Sequence, residues 1–230
     1  MKLSIKYLKI KLNKNEKKMG LEKSNYLKFA GICGILLPII VFAFIGISIY
    51  LYSDFSWFEN WLSELAGEPG EEPIWAARGL SSIMFNAGII IAGLFGLILL
   101  SALWRIALLG SRVGRIGKTL LLIDIIALIS IGVFPNTTGI YHIVASVLFF
   151  AFVPFALVPL GIEFRRNREN KIGNSVILIG IISFFSFSLF LIPEPMGSNA
   201  LVEMIPSLSL AISSIIFGFY LLKVSSHLKE

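Results

Sequence analysis

Residues 29–52 read FAGICGILLPIIVFAFIGISIYLY, a run without a charged side chain. A bilayer's hydrocarbon core is about 30 Å thick and takes roughly 20 helical residues to cross, so the run predicts a transmembrane helix. Its flanks decide the rest of the fold. Nine lysines, Lys2 to Lys28, lie upstream; downstream stand Asp54, Glu59, Glu64, Glu68, Glu71 and Glu72. The sign then alternates from one connection to the next. Basic residues fill 105–118 and 165–171 and return at Lys223 and Lys229, while Glu194 and Glu203 occupy the connection between the last two apolar runs. Only Arg78 breaks the pattern.

Lys and Arg are retained on the cytoplasmic side of inserted helices. The alternation therefore predicts an all-α, polytopic bundle of six transmembrane helices with both termini in the cytoplasm. The spans are 29–52, 79–104, 117–134, 140–162, 172–192 and 204–222. They divide the chain into a basic cytoplasmic segment 1–28, expected to be disordered over 1–18, a transmembrane domain 29–222, and a tail 223–230. Met19 is an alternative start. The first run is too long, and its basic flank too extended, for a cleaved signal peptide. The expected location is the cell membrane, as a multi-pass protein.

Composition agrees. The chain is 56% apolar and 15% charged, with a mean hydropathy of +0.84. A soluble domain is closer to half apolar and a quarter charged. The net charge of +6 follows from topology and suits anionic inner-leaflet lipid, so membrane lipids are the expected partners and nucleic acid is not. One cysteine, Cys33, excludes an intrachain disulfide, and with two histidines it does not supply a zinc site of the usual Cys/His kind. No metal or other cofactor is expected.

Between the spans the connections are short, and Pro135 to Gly139 make a tight turn between spans three and four. The exception is 53–78. There Trp57, Phe58, Trp61, Leu62 and Leu65 recur at helical spacing, which predicts a short helix at the outer interface. Gly88, Ala92, Gly93 and Gly96 in span two, and Gly110, Gly114 and Gly117 before span three, are small residues that let helices approach closely. With Arg112, Arg115 and Lys118 nearby, the latter glycines do not form a phosphate-loop pattern.

Three sets of residues invite chemistry. Asp124 is the one acid within a predicted span; ionised, it costs about 2.5–3.5 kcal/mol on insertion scales, so it faces the bundle. It is either a relay for a proton or cation, or a structural acid bonded to a Ser or a carbonyl. The second set is topological: Ser63, Glu64, Arg78, Asn86, His142 and Glu203 all fall near the outer surface, where a His beside carboxylates can serve as a general base. His227 lies in the charged tail and is read as solvated. The third is Asn136-Thr137-Thr138, a glycosylation pattern expected to be unused because the turn is pressed to the membrane.

At these residues the chain resembles a known family. Trp61-Leu-Ser-Glu-Leu-Ala-Gly67, Phe85-Asn-Ala-Gly88, Gly114-Arg-Ile-Gly117, Ile131-Gly-Val-Phe-Pro135 with His142, and Ala200-Leu-Val-Glu203 are similar to the prokaryotic membrane family called domain of unknown function 998. The resemblance covers about residues 25–222. It implies a six-helix membrane protein without an assigned activity, and it points to Ser63, Glu64, Asn86, Pro135, His142 and Glu203. The chain departs where Met204 follows Glu203, a place where a basic residue is usual in the family.

The leading expectation is an outward-facing polar pocket for a lipid headgroup or small polar ligand. It draws on Asn86, Arg78, His142 and Glu203. One alternative is a membrane-interface hydrolase with His142 as base, Glu64 or Glu203 orienting it and Ser63 as nucleophile, although no nucleophile elbow is present. The other is a small transporter using Asp124.

Overall fold

The computed structural model describes residues 14–189 and 199–228. Six long helices account for most of them: α1 (Lys14–Leu51), α2 (Leu80–Trp104), α3 (Arg112–Val133), α4 (Ile140–Arg166), α5 (Asn170–Leu189) and α6 (Asn199–His227). All six carry a stretch long and apolar enough to cross a membrane. No strand occurs among the described residues. The chain is a multi-pass integral membrane protein.

Helices α4 and α6 run past their expected spans, α4 to Arg166 and α6 from Asn199 to His227, and two further boundaries differ from expectation. Helix α1 begins at Lys14, inside the 1–18 stretch expected to be disordered. Lys and Glu are good helix formers. Helix α3 begins at Arg112 rather than near Gly117, because Ser111 caps it: the Ser111 Oγ accepts a hydrogen bond from the Gly114 N–H at 3.3 Å. The expected disorder of 1–13, the end of span five at 190–192 and the Pro193-Glu194-Pro195 break lie outside the described residues.

The helices form a ring. Each packs on its chain neighbours, α6 closes back on α1, and among the described residues the α5–α6 seam is the thinnest. The ring closes where glycines allow it. A Cβ on Gly31 would sit 2.8 Å from the Gly218 carbonyl, and one on Gly218 would sit 2.7 Å from the Gly31 carbonyl, so α1 and α6 touch backbone to backbone. In α2, added Cβ atoms on Gly93 and Gly96 would meet Ile129 and Ile125 of α3. This is the close helix approach that the small residues predicted. Tyr50, Phe155, Leu178 and Phe185 point away from the bundle, as lipid-facing side chains do.

The bundle has two unlike ends. At the basic end the starts of α1 and the finish of α6 are tied: Ser24 Oγ donates to the Ser225 carbonyl at 2.9 Å, and Ser225 Oγ donates to the Ser24 carbonyl at 2.8 Å. Arg105 stacks over the Tyr26 ring at 4.1 Å, and Lys223 pairs with Glu169 at 3.1 Å. The opposite end is roofed by the 53–79 segment. Its short helix is one 3-10 turn, Leu62–Ala66, shorter than the amphipathic stretch expected and differently used. Leu62, Leu65 and Ala66 are buried in the bundle core, while Phe58 is exposed. The apolar face docks inward because it has a packed core to join.

Candidate functional site

The roof is pinned to the α3–α4 turn by polar bonds from that turn. Asn136 Nδ2 donates to the Gly67 carbonyl and Thr137 Oγ1 to the Ile74 carbonyl, both at 2.8 Å. The Gly70 N–H donates to the Thr137 carbonyl at 3.0 Å. Asn136, the candidate glycosylation acceptor, thus spends its amide on the roof. Gly67, at φ 105°, allows the passage: a Cβ there would meet Ala77 at 2.6 Å.

The second attachment of the roof is to α6. Glu203, one turn into that helix, accepts from Ser63 twice: the backbone N–H reaches Oε2 and the hydroxyl reaches Oε1, each at 3.2 Å. Glu203 is 8% exposed. A buried carboxylate needs such donors, since stranding it is costly. Below this contact lies a cavity of about 40 Å³. Ser63, Glu203, Ser207, His142 and Ser146 supply its polar lining. Apolar side chains of α1 to α4, among them Ile45, Ile89, Leu128 and Phe149, supply the rest.

His142 enters from the first turn of α4. Its Nδ1 lies 2.9 Å from the Phe134 carbonyl. A carbonyl only accepts, so Nδ1 carries the hydrogen, and Nε2 is the acceptor in the neutral ring. The tight turn at Pro135–Gly139 makes this bond by folding the start of α4 back over the end of α3. The cavity therefore offers acceptors at Glu203 and His142 together with three serines. No Lys or Arg lines it among the described residues.

The other candidate residues fall elsewhere. Arg78 is in the roof, bonded to Glu68 at 2.7 Å, 3.4 Å from Glu71, and stacked 4.9 Å above the Tyr52 ring. It braces the roof rather than lining the cavity. Glu64 accepts from Asn60 Nδ2 one turn earlier. Asn86 is fully buried, beside the cavity residue Phe85, and neither of its side-chain polar atoms has a partner. Its own carbonyl would lie 2.8 Å from a Cβ on Gly132, so it sits in the α2–α3 interface.

Asp124 is fully buried, and neither carboxylate oxygen has a hydrogen-bond partner. The structural alternative, a bond to a neighbouring Ser or carbonyl, is not what is found. Buried polar groups are nearly always paired, so this acid stands out.

One polar cluster was not visible in the sequence. At the basic end, Glu163 of α4 is 2% exposed and accepts from the Ser111 hydroxyl at 2.5 Å and the Ser111 N–H at 3.3 Å. Negative charge at a helix N-terminus is favourable, and the bond locks the 105–111 connection to α4. Lys118 is also buried, with its ammonium 4.4 Å from the Trp104 ring centre. Glu163 follows directly on the expected end of span four, where an acid reads as a solvated boundary residue. The Ser111-x-x-Gly114 cap was the available signal.

No curated protein and no solved structure matches the chain. A family model described as "Protein of unknown function (DUF998)" matches residues 35–220. That range takes in α2 to α5 whole, most of α6, the second half of α1 and every cavity residue named above, and the chain belongs to this family.

Proposed function

We propose that the cavity beneath the 53–79 roof is a binding site for a hydrogen-bond-donating group, the headgroup of a lipid or a small polar ligand, and that it faces the outside of the cell membrane. The observation that carries the reading is the lining of one cavity by Ser63, His142 and Glu203, which come from three separate segments of the chain. The outward orientation follows from the basic residues gathered at the opposite end. The ligand class follows from the lining. Carboxylate, imidazole and hydroxyl groups, with no Lys or Arg among the described lining residues, suit an ammonium or a polyol, and disfavour a bare phosphate. A cavity of about 40 Å³ exceeds the roughly 10–15 Å³ one water needs and admits a small polar group.

Binding is favoured over hydrolysis by one detail. A Ser63 nucleophile needs its hydroxyl on a base such as His142. The hydroxyl instead donates to Glu203, and not to the acceptor Nε2 that His142 keeps when Phe134 holds its Nδ1. The test is lipid mass spectrometry on purified wild type, Glu203→Gln and His142→Ala. The wild type should carry an amine- or polyol-headed compound that both variants lose at least tenfold with unchanged melting. Equal content in all three would overturn the reading.

A second reading rests on Asp124, whose unpartnered oxygens suit a proton- or cation-carrying acid in a small transporter. Proton flux into proteoliposomes, abolished by Asp124→Asn, would support it. Flux absent from the wild type would exclude it.

A further inference from the structure

The lower half of the same axis holds a second cavity, of about 20 Å³, and Leu128 of α3 lines both. The two are stacked. Three helices each contribute a residue to the upper cavity and another, about two turns further into the membrane, to the lower one. On α1 these are Ile45 and Leu37, on α2 Ile89 and Gly96, and on α6 Ser207 and Ser214. The lower cavity is apolar in character. Among its described lining residues the one polar side chain, Ser214, spends its hydroxyl on the Ala211 carbonyl at 2.7 Å. Cavities of that kind stay dry and accept hydrocarbon.

We propose that the site takes a single-chain amphiphile, its polar head against Glu203 and its hydrocarbon chain running down the bundle axis past Leu128. The proposal rests on the reading of the upper cavity as a headgroup site. Depth supports it. Glu203 and Ser214 are eleven residues apart on α6, about 16 Å at the helical rise. One leaflet of a hydrocarbon core about 30 Å thick is about 15 Å deep. The polar-to-apolar gradient of the stacked cavities thus matches the length of one leaflet's chain. Enclosure sets the number of chains. Walls from α1, α2, α3 and α6 surround the lower cavity, and Gly96, without a side chain, is part of what keeps it open. At about 20 Å³ the lower cavity leaves no room for two chains side by side.

The experiment is native mass spectrometry of the full chain in detergent with three probes sharing one head: hexadecanoyl lysophosphatidylethanolamine, dipalmitoyl phosphatidylethanolamine, and glycerophosphoethanolamine without a chain. The wild type should retain the single-chain probe at least tenfold more than either of the others. Leu128→Trp and Gly96→Leu, which plug the axis from two different helices, should each cut that retention at least tenfold. Leu128→Ala, which only widens the passage, should keep it, and melting curves show that each variant is folded. Equal retention of all three probes, or plugged variants that bind like wild type, would overturn the inference. The headgroup reading fails separately: Glu203→Gln should weaken the single-chain probe at least tenfold, and if it does not, both proposals fall. If Glu203→Gln weakens binding and the plugs do not, the headgroup site stands and the axial chain does not.

Discussion

The most informative perturbation of the fold is Gly93→Leu, read against Gly46→Leu. Both glycines are in transmembrane helices. An added Cβ on Gly93 meets Ile129 of α3 directly, whereas one on Gly46 has nothing within 4 Å. Each substitution gains the same helix propensity, roughly 0.8–1 kcal/mol over glycine. Only Gly93→Leu inserts a side chain into a packed interface, which typically costs about 1–3 kcal/mol. For a chain of this size each kcal/mol moves the melting temperature by roughly 2–4 °C. The Gly93 variant should therefore melt roughly 2–12 °C below the Gly46 variant, and Gly46→Leu should melt at or above wild type. The assay is thermal unfolding in one detergent, followed by tryptophan fluorescence or by loss of monodispersity. Comparing the two variants removes the propensity contribution and leaves the clash. Melting temperatures within about 1 °C of each other would refute the packing of α2 on α3 and, with it, the register that aligns the cavity walls.

Two further substitutions probe the buried polar groups. Asp124→Leu should leave the melting temperature unchanged or raise it, because no protein partner is stranded by its removal and an apolar side chain suits the site; a fall of several degrees would mean the acid has a structural partner. Ser111→Ala removes both the α3 cap and a donor to Glu163, so it should cost about 1–2 kcal/mol and lower the melting temperature, and an unchanged melt would show that the cap and the Glu163 bond contribute nothing.

The transmembrane helices were legible because the bilayer imposes a length and an absence of charge that few other structures share. The glycines facing α3 were legible for a similar reason: between lipid-soluble helices, close packing is the main attraction left. The 53–79 roof was read as the right kind of segment in the wrong posture. Helical spacing of Trp57, Leu62 and Leu65 gives an apolar face, and the same face satisfies either lipid or a protein core. Which it meets depends on bonds from Asn136, Thr137 and Glu203, all distant in sequence. Ser63, His142 and Glu203 were grouped by level in the membrane and again by the family resemblance; level grouped Arg78 with them too, and the resemblance did not. Level does not say which way a side chain turns, and Arg78 turned to Glu68 and Glu71. Glu163 and Lys118 were missed because charged residues next to a span end ordinarily reach water, and nothing local in the sequence shows that both are buried.

The side of the membrane on which the Ser63–Glu203 site opens decides between a pocket for external or outer-leaflet ligands and one for cytoplasmic ligands. Labelling of intact cells with an impermeant thiol reagent measures it, with Cys33 replaced by Ser to leave one reporter at a time. Cysteine at Glu71, in the roof, should label in intact cells, whereas cysteine at Arg112 or Arg168 should label only after permeabilisation. Labelling at Arg112 or Arg168 in intact cells, with Glu71 protected, would contradict the account.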